Sequence, residues 1–235
     1  MRARAYDRQA VPWSEWIRTV EVEPSLYGAD FANLGAQIVE LLGAGCRIFH
    51  FDVGDGHFVE PITMGPIVLK SLAPRIHRSS GAIDVHLMVE NPAKYFAPFA
   101  EAGGDSVTFH YEAVDDVAET VRAAREHGLQ VGVAFTPETE PEAVAAVSGG
   151  ADLVLCMSIH PGYSGQKFME ETYERVTRLR AALPDGVSIQ VDGGIGPDNI
   201  VRVRDSGANL LVAATSIFGE EDFAAAYERL VGVLA

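Results

Sequence analysis

The feature that most constrains the fold is a repeat in which a short apolar segment is followed by a helical one, eight times over. The apolar segments are rich in Val, Ile and Leu and have the length of buried strands. Glycines mark the turns in front of most of them. Strands that alternate with helices pair in parallel through crossover connections. Eight such units predict a closed TIM (β/α)8 barrel in preference to an open doubly wound sheet.

The predicted elements cover the chain without a linker or a change in composition. Strands are predicted at 19–23, 47–52, 82–88, 106–110, 130–135, 153–157, 188–192 and 209–213. Helices are predicted near 30–42, 65–73, 91–103, 115–127, 141–148, 170–183, 197–206 and 221–234. Residues 20–235 are therefore predicted to form a single barrel domain, preceded by a short N-terminal extension, residues 1–19. In that extension Trp13, Trp16 and Ile17 have the spacing of one helical face, which predicts packing on the barrel or on another subunit.

The charge of the chain limits the classes of partner. The formal net charge of −15 argues against nucleic acid and against an anionic membrane surface. A phosphorylated substrate must then be held by local features, because the overall field repels it. No segment approaches the ~18 unbroken apolar residues of a membrane span, and the first residues lack the apolar run of a signal peptide. A cytoplasmic protein is expected, with Cys46 and Cys156 as buried thiols.

Polar side chains gather where the predicted strands end. His50 and Asp52 lie two residues apart on the second strand, so they point to the same face, ahead of the turn formed by Gly54 and Gly56. The site of such a barrel is built at the C-terminal ends of its strands. The other chemically capable residues at that end are Ser25, His86, His110, Met157 and Asp192.

Two imidazoles and two carboxylates at one rim indicate a metal site. Leaving such groups buried and unpaired is costly, and a bound cation removes that cost. His50, Asp52, His86 and Asp192 form a set that suits one divalent ion, Zn²⁺, Fe²⁺, Mn²⁺ or Co²⁺.

The barrel topology suggests a reaction. The strands that carry Asp52 and Asp192 are separated by two others, so the carboxylates should lie on opposite faces of a substrate bound between them. One could take a proton and the other deliver one to the opposite side. That arrangement suits inversion at a carbon next to a carbonyl, and we predict Asp52 and Asp192 as the catalytic acid/base pair.

Three loops at neighbouring strand ends indicate a phosphate site. Loops after the seventh and eighth strands of a barrel commonly bind phosphate through backbone N–H groups. Such groups need no lysine or arginine. The predicted phosphate-binding residues are Gly162, Tyr163, Ser164, Gly165, Gln166, Gly193, Gly194, Ala214 and Thr215.

Several motifs, in this order, resemble the ribulose-phosphate 3-epimerase family from about Val20 to Phe218. They are Pro24-Ser25, Ala29-Asp30-Phe31-Ala32-Asn33-Leu34, the stretch His50–Val59, Asp84-Val85-His86-Leu87-Met88, Pro161-Gly162-Tyr163-Ser164-Gly165-Gln166-Lys167-Phe168 and Val191-Asp192-Gly193-Gly194-Ile195. The resemblance implies a barrel that interconverts ribulose 5-phosphate and xylulose 5-phosphate, with a dimer or higher homo-oligomer. It also implies the metal ligands and acid/base pair given above. Ser25 matches a substrate-contacting serine, and Met88 and Met157 match two methionines that line the pocket.

The chain departs from the family's pattern near the substrate. Gly54 stands in place of a third methionine, and His160 in place of an asparagine, where it could reach a substrate hydroxyl. Ser164 replaces a glycine, Ala214-Thr215 a Gly-Ser pair, and Tyr27-Gly28 a Leu-Ser pair. These differences leave the substrate open between the pentulose phosphate, which is favoured, and a hexulose or tetrulose phosphate. Two further readings are a metal-free decarboxylase or synthase, which would need a strand-end lysine, and a non-catalytic sugar-phosphate binder.

Overall fold

The computed structural model describes residues 13–17 and 19–234, and in these residues eight parallel strands alternate with helices. The strands are β1 (Glu21–Pro24), β2 (Ile48–Gly54), β3 (Ala82–Met88), β4 (Ser106–His110), β5 (Gln130–Phe135), β6 (Leu153–Met157), β7 (Ser188–Asp192) and β8 (Leu210–Ala213). From β2 to β8 each strand pairs with the next along the chain, and β8 pairs with β1. A parallel bridge between Ser25 and His50 links the two remaining edges. The predicted TIM barrel is confirmed.

The helices surround the barrel in the predicted order. They are α1 (Trp13–Trp16), α2 (Leu34–Gly43), α3 (Pro66–Arg78), α4 (Phe96–Ala102), α5 (Val117–Arg125), α6 (Pro141–Val147), α7 (Thr172–Ala182), α8 (Ile200–Asp205), α9 (Thr215–Phe218) and α10 (Phe223–Gly232). In the described part of the chain, none of them combines the length and the apolarity needed to cross a bilayer.

The predicted helix bounds differ from the observed ones at several ends: α2 begins at Leu34 and not near residue 30, and α4 begins at Phe96 and not at residue 91. Helix α3 continues past Pro74 to Arg78, because its buried stripe extends to Ile76, which is fully buried. The four-residue helix α9, directly after β8, was not predicted at all.

The core has two parts that meet at the sheet. The larger part lies between the outer face of the strands and the helices. The smaller part lies among side chains from the strand starts, including Ile48, Leu153 and Leu210, and it contains both tryptophans of α1. Trp13 and Trp16 keep only 3% and 4% of their surface exposed and contact each other edge to face. The described part of the N-terminal extension therefore covers the end of the barrel that the strands enter; residues 1–12 and 18 lie outside the described residues.

Trp13→Ala is expected to lower the free energy of unfolding by about 3 kcal/mol, because it removes a buried indole and leaves a cavity. Trp13→Phe is the matched control. Among the described residues the Trp13 indole N–H has no hydrogen-bond partner, and phenylalanine keeps most of the buried ring. Trp13→Phe should therefore lower the free energy of unfolding far less than Trp13→Ala. Urea denaturation of both variants measures the difference. Equal stabilities would show that the indole does not stabilise the barrel.

Candidate active site

Four of the predicted site residues meet at the C-terminal end of the barrel. His50 and Asp52 come from β2, His86 from β3 and Asp192 from the last position of β7. The strand register sets Asp52 directly beside His86. One ligand atom of each residue lies within 4.8 Å of those of the other three. The carboxylates come from strands separated by β8 and β1, as predicted, and they reach a common centre.

Each imidazole turns a definite nitrogen towards this centre. The Nε2 atom of His50 lies 3.3 Å from Asp52 Oδ1, and the Nδ1 atom of His86 lies 3.0 Å from the same oxygen. The two nitrogens are themselves 3.3 Å apart. The opposite nitrogens face outer partners: His50 Nδ1 lies 3.0 Å from Asp84 Oδ2, and His86 Nε2 lies 2.9 Å from His110 Nε2. Metal-binding histidines are commonly held in this way through their second nitrogen.

The donor set fits a divalent cation. Two carboxylates and two imidazoles converge in a site where His50 and His86 have no exposed surface. Buried groups of this kind need a compensating charge. The mixture of nitrogen and oxygen ligands suits Zn²⁺, Fe²⁺, Mn²⁺ or Co²⁺ and does not choose among them.

The surroundings move the pKa values of the two carboxyl groups in opposite directions. Burial, together with the nearby charge of Asp52, raises the pKa of Asp192 to about 7. Burial alone would also raise the pKa of Asp52, but the charges and hydrogen bonds of His50 and His86 outweigh it and lower that pKa. Ser25 Oγ also donates a hydrogen bond to Asp52 Oδ2 at 2.6 Å. Two carboxyl groups whose pKa values differ in this way can serve as one acid and one base.

A cavity opens beside this centre. Ser25, Met88 and Met157 line it together with Asp52 and Asp192. The predicted phosphate-binding residues that line it are Gly162, Tyr163, Ser164, Gly165, Gly193, Gly194, Ala214 and Thr215. The structure thus brings almost all of the predicted substrate-binding and phosphate-binding residues to one cavity.

His160 and Gln166 lie elsewhere. The side chain of His160 is 62% exposed, its Nδ1 atom lies 3.1 Å from Glu138 Oε1, and it does not line the cavity. Its contact with a substrate hydroxyl stays a prediction. Gln166 Nε2 donates to the carbonyl oxygens of His160 and Tyr163, at 2.7 and 2.9 Å. Its side chain shapes the loop and does not line the cavity.

Other features compensate for two departures from the family pattern. A Cβ atom added to Gly54 would lie 2.6 Å from the Pro61 carbonyl oxygen and 2.9 Å from Val59 Cγ2, so the turn after β2 fills the space. A Cβ atom on Gly28 would lie 3.1 Å from Ala214 Cβ. The small residue at 28 therefore makes room for the larger one at 214.

Sequence reasoning assigned no role to the residues that support the ligands from behind. Asp84, Glu23 and Gln190 form a fully buried polar group beneath His50. Together with His50, Glu23 and Asp84 form a second group with metal-ligand spacing, but this group shares His50 with the first one.

A different pair of residues, His110 and Glu112, lies behind His86. Burial lowers the pKa of His110 to about 4, and hydrogen bonds from His110, Thr139 and Thr136 lower the pKa of Glu112 to about 2 against the opposing effect of burial. The sequence did contain a signal for Asp84, because it lies two residues before His86 and therefore on the same face of β3.

An eight-stranded barrel with a His2Asp2 cluster beside a glycine-lined cavity at the C-terminal end of its strands has the architecture of an enzyme that acts on a small molecule. Residues 21–218 match the ribulose-phosphate 3-epimerase family. The chain belongs to this family, as the sequence motifs predicted.

Similar proteins come from yeast and bacteria. The ribulose-phosphate 3-epimerase of Candida glabrata is 39% identical over 214 residues, which cover 86% of this chain and 87% of that one. Those of Escherichia coli K12 and Bacillus subtilis are 36% and 35% identical, cover 91% of this chain, and are themselves covered to 96% and 99%. The predicted enzyme class, an isomerase that epimerises a ketose phosphate, is confirmed.

Solved structures support the fold alone. A 3-hexulose-6-phosphate synthase from Salmonella typhimurium superposes with a TM-score of 0.69 at 17% identity, over 91% of this chain and 98% of that one. An orotidine 5'-phosphate decarboxylase from Pyrococcus horikoshii gives 0.68 at 13% identity, over 91% and 98%. At such identities these neighbours show the fold and carry no argument about chemistry.

Proposed function

We propose that this protein interconverts ribulose 5-phosphate and xylulose 5-phosphate by inverting C3, with Asp52 and Asp192 as the acid/base pair. The observation that carries the proposal is the position of these two carboxyl groups. They lie at the floor of one cavity, they come from separated strands, and their pKa values are shifted in opposite directions. Family membership supports the pentulose over a hexulose or tetrulose phosphate.

One carboxyl group removes the proton of C3, and the other carboxyl group adds a different proton to C3 from the opposite face. Asp52, whose pKa is lowered, is ionised and takes the C3 proton from one face of the substrate. Asp192, whose pKa is raised, holds a proton and delivers it to the opposite face of the enediolate. The reaction leaves Asp52 protonated and Asp192 ionised, and the reverse reaction exchanges the two roles. The hydrogen bond from Ser25 fixes the orientation of Asp52.

His50, Asp52, His86 and Asp192 are the residues that would hold a divalent metal ion. When bound, such an ion supplies positive charge that stabilises the oxyanions of the enediolate. Met88 and Met157 provide an apolar wall beside this centre and keep bulk water away from the reacting carbon.

The phosphate group is proposed to lie at the far end of the cavity, where three loops meet. Gly193 and Gly194 have φ angles of +121° and +63°, a left-handed backbone that glycine adopts without strain. Backbone N–H groups exposed by such turns bind anions. They can hold a dianion although the chain carries a net charge of −15.

Gly194→Ala is expected to raise the KM for ribulose 5-phosphate by about 10-fold or more. The added Cβ would lie 2.8 Å from the Phe168 backbone nitrogen in a φ region that alanine disfavours, so the loop must shift. Gly186→Ala is the matched control, because a Cβ there has no neighbour within 4 Å. Steady-state kinetics and inhibition by inorganic phosphate measure the effect. An unchanged KM in Gly194→Ala would place the phosphate elsewhere.

The function is tested by proton NMR in D2O with ribulose 5-phosphate. We expect deuterium at C3 together with xylulose 5-phosphate. If a hexulose or tetrulose phosphate reacted faster than the pentulose phosphate, that sugar would be the assigned substrate. The absence of exchange with every ketose phosphate would overturn the proposal.

The homo-oligomeric state and the cytoplasmic location expected from the sequence remain predictions. Light scattering of purified protein tests the first.

A further inference from the structure

The two histidine ligands are supported from behind in different ways. His50 faces a carboxylate directly, since its Nδ1 atom lies 3.0 Å from Asp84 Oδ2. His86 faces a second imidazole: its Nε2 atom lies 2.9 Å from His110 Nε2. The remaining nitrogen of His110, Nδ1, lies 3.3 Å from Glu112 Oε2. A chain of three side chains thus runs from the metal centre to the base of the loop after β4.

The direction of each hydrogen bond in this chain follows from its outer end. An ionised carboxylate can only accept, so Glu112 requires a proton on His110 Nδ1. A neutral His110 then has a lone pair on Nε2, which accepts from His86. His86 must in turn carry its proton on Nε2. Its Nδ1 atom is left with a lone pair that points at the metal centre, 3.0 Å from Asp52 Oδ1.

The chain is held in this arrangement by its surroundings. His110 is fully buried, with its ring centroid 4.8 Å from that of Phe58 and 5.1 Å from that of His86, whose plane is tilted by only 24°, so the two imidazoles meet edge to edge. Glu112 is fixed through its other oxygen, Oε1, which accepts from the backbone N–H of Thr136 at 2.9 Å and from the Thr139 hydroxyl.

We propose that His110 and Glu112 are positioning residues that fix His86 as its Nε2–H tautomer and so present Nδ1 to the divalent metal ion. Neither residue lines the substrate cavity, so both act through His86 alone. The inference rests on the proposed function, because it assumes that a metal ion occupies the His2Asp2 centre.

Glu112→Gln is expected to reverse the direction of the hydrogen bonds from residue 112 through His110 to His86, while it keeps the size of the side chain. The new amide nitrogen can face either His110 or Thr136. The backbone N–H of Thr136 can only donate, whereas His110 can change tautomer and accept. The amide nitrogen should therefore face His110. His110 then carries its proton on Nε2, and His86 must carry its own on Nδ1, where the proton competes with the metal. Thr139→Val is the matched control, because it removes a partner of the same carboxylate and leaves the contact with His110 intact.

The experiment uses the full-length protein loaded with Zn²⁺ and labelled with ¹⁵N at histidine. In the wild type we expect His110 to be protonated at Nδ1 and His86 at Nε2, with zinc bound at His86 Nδ1. Chelator competition should show zinc affinity about 10- to 100-fold weaker in Glu112→Gln and unchanged in Thr139→Val. At saturating zinc, the KM for ribulose 5-phosphate in Glu112→Gln should stay within about twofold of wild type, with any loss in kcat.

Two results would overturn the inference. One is a zinc-loaded wild type in which His110 carries its proton on Nε2, a measurement that needs no variant and so does not depend on how Glu112→Gln folds. The other is a folded Glu112→Gln protein that binds zinc as tightly as Thr139→Val. Failure of the wild type to bind zinc at all would instead count against the metal site of the proposed function.

Discussion

Asp192→Asn is expected to reduce kcat for epimerisation by about 10²- to 10⁴-fold, the usual contribution of a positioned acid or base. Asparagine keeps the size of the side chain and an oxygen that can face the metal, but it cannot give or take a proton at neutral pH. The loss should be selective. Asp52 is intact, so the epimer whose C3 proton faces Asp52 should still exchange that proton with solvent. It should do so without inversion, since nothing protonates the opposite face.

Asp52→Asn provides the mirror image of this experiment. It should abolish inversion as well, but exchange should persist in the other epimer, the one whose C3 proton faces Asp192. NMR in D2O, starting separately from ribulose 5-phosphate and xylulose 5-phosphate, distinguishes the four combinations. The metal content of both variants must match that of the wild type. If each variant suppressed exchange equally in both epimers, the carboxylates would be acting as ligands only, and their assignment as an acid/base pair would be wrong.

The barrel was largely predictable because strand and turn chemistry agree along most of the chain. The bounds of β3 to β7 match the predicted ones residue for residue. Each of these strands packs apolar residues against the helices on its outer face and is enclosed by polar or glycine-containing turns, which leaves little freedom in placing its ends. The edges of α3 and the existence of α9 were harder to predict. A proline ordinarily ends a helix, and four residues after β8 are too few to show a period.

The site followed from the sequence most completely on the strands and less completely in the loops. His50, Asp52, His86 and Asp192 lie on strands, so their faces and their common rim follow from alternation and topology. His160 and Gln166 lie in the loop between β6 and α7, whose path no periodicity fixes, and neither side chain lines the cavity that Gly162 to Gly165 of the same loop do line. The roles of Asp84, His110 and Glu112 depend on which nitrogen each imidazole turns inward, and that requires coordinates.

Removal of the metal ion by a chelator is expected to lower kcat by about 10³-fold or more, because several kcal/mol of stabilisation of the enediolate charge is lost. It should also lower Tm by about 5 to 10 °C relative to protein with metal at 100 times its Kd. Adding Zn²⁺, Fe²⁺, Mn²⁺ or Co²⁺ singly should restore both, and the ion that restores the highest kcat identifies the effective metal.

The affinity for that ion should depend on pH in a definite direction. In the metal-free protein, burial and the charge of Asp52 raise the pKa of Asp192 to about 7. A protonated Asp192 is a weaker ligand than its carboxylate, although one oxygen can still face the metal, so protons compete with the metal below that pH. Affinity should therefore fall as the pH drops below 7 and should not depend on this group well above it. In Asp192→Asn, which has no proton to lose, that part of the pH dependence should vanish. Affinities from chelator competition between pH 5.5 and 8.5 test this, and an unchanged pH profile in the variant would mean that another group is the competitor.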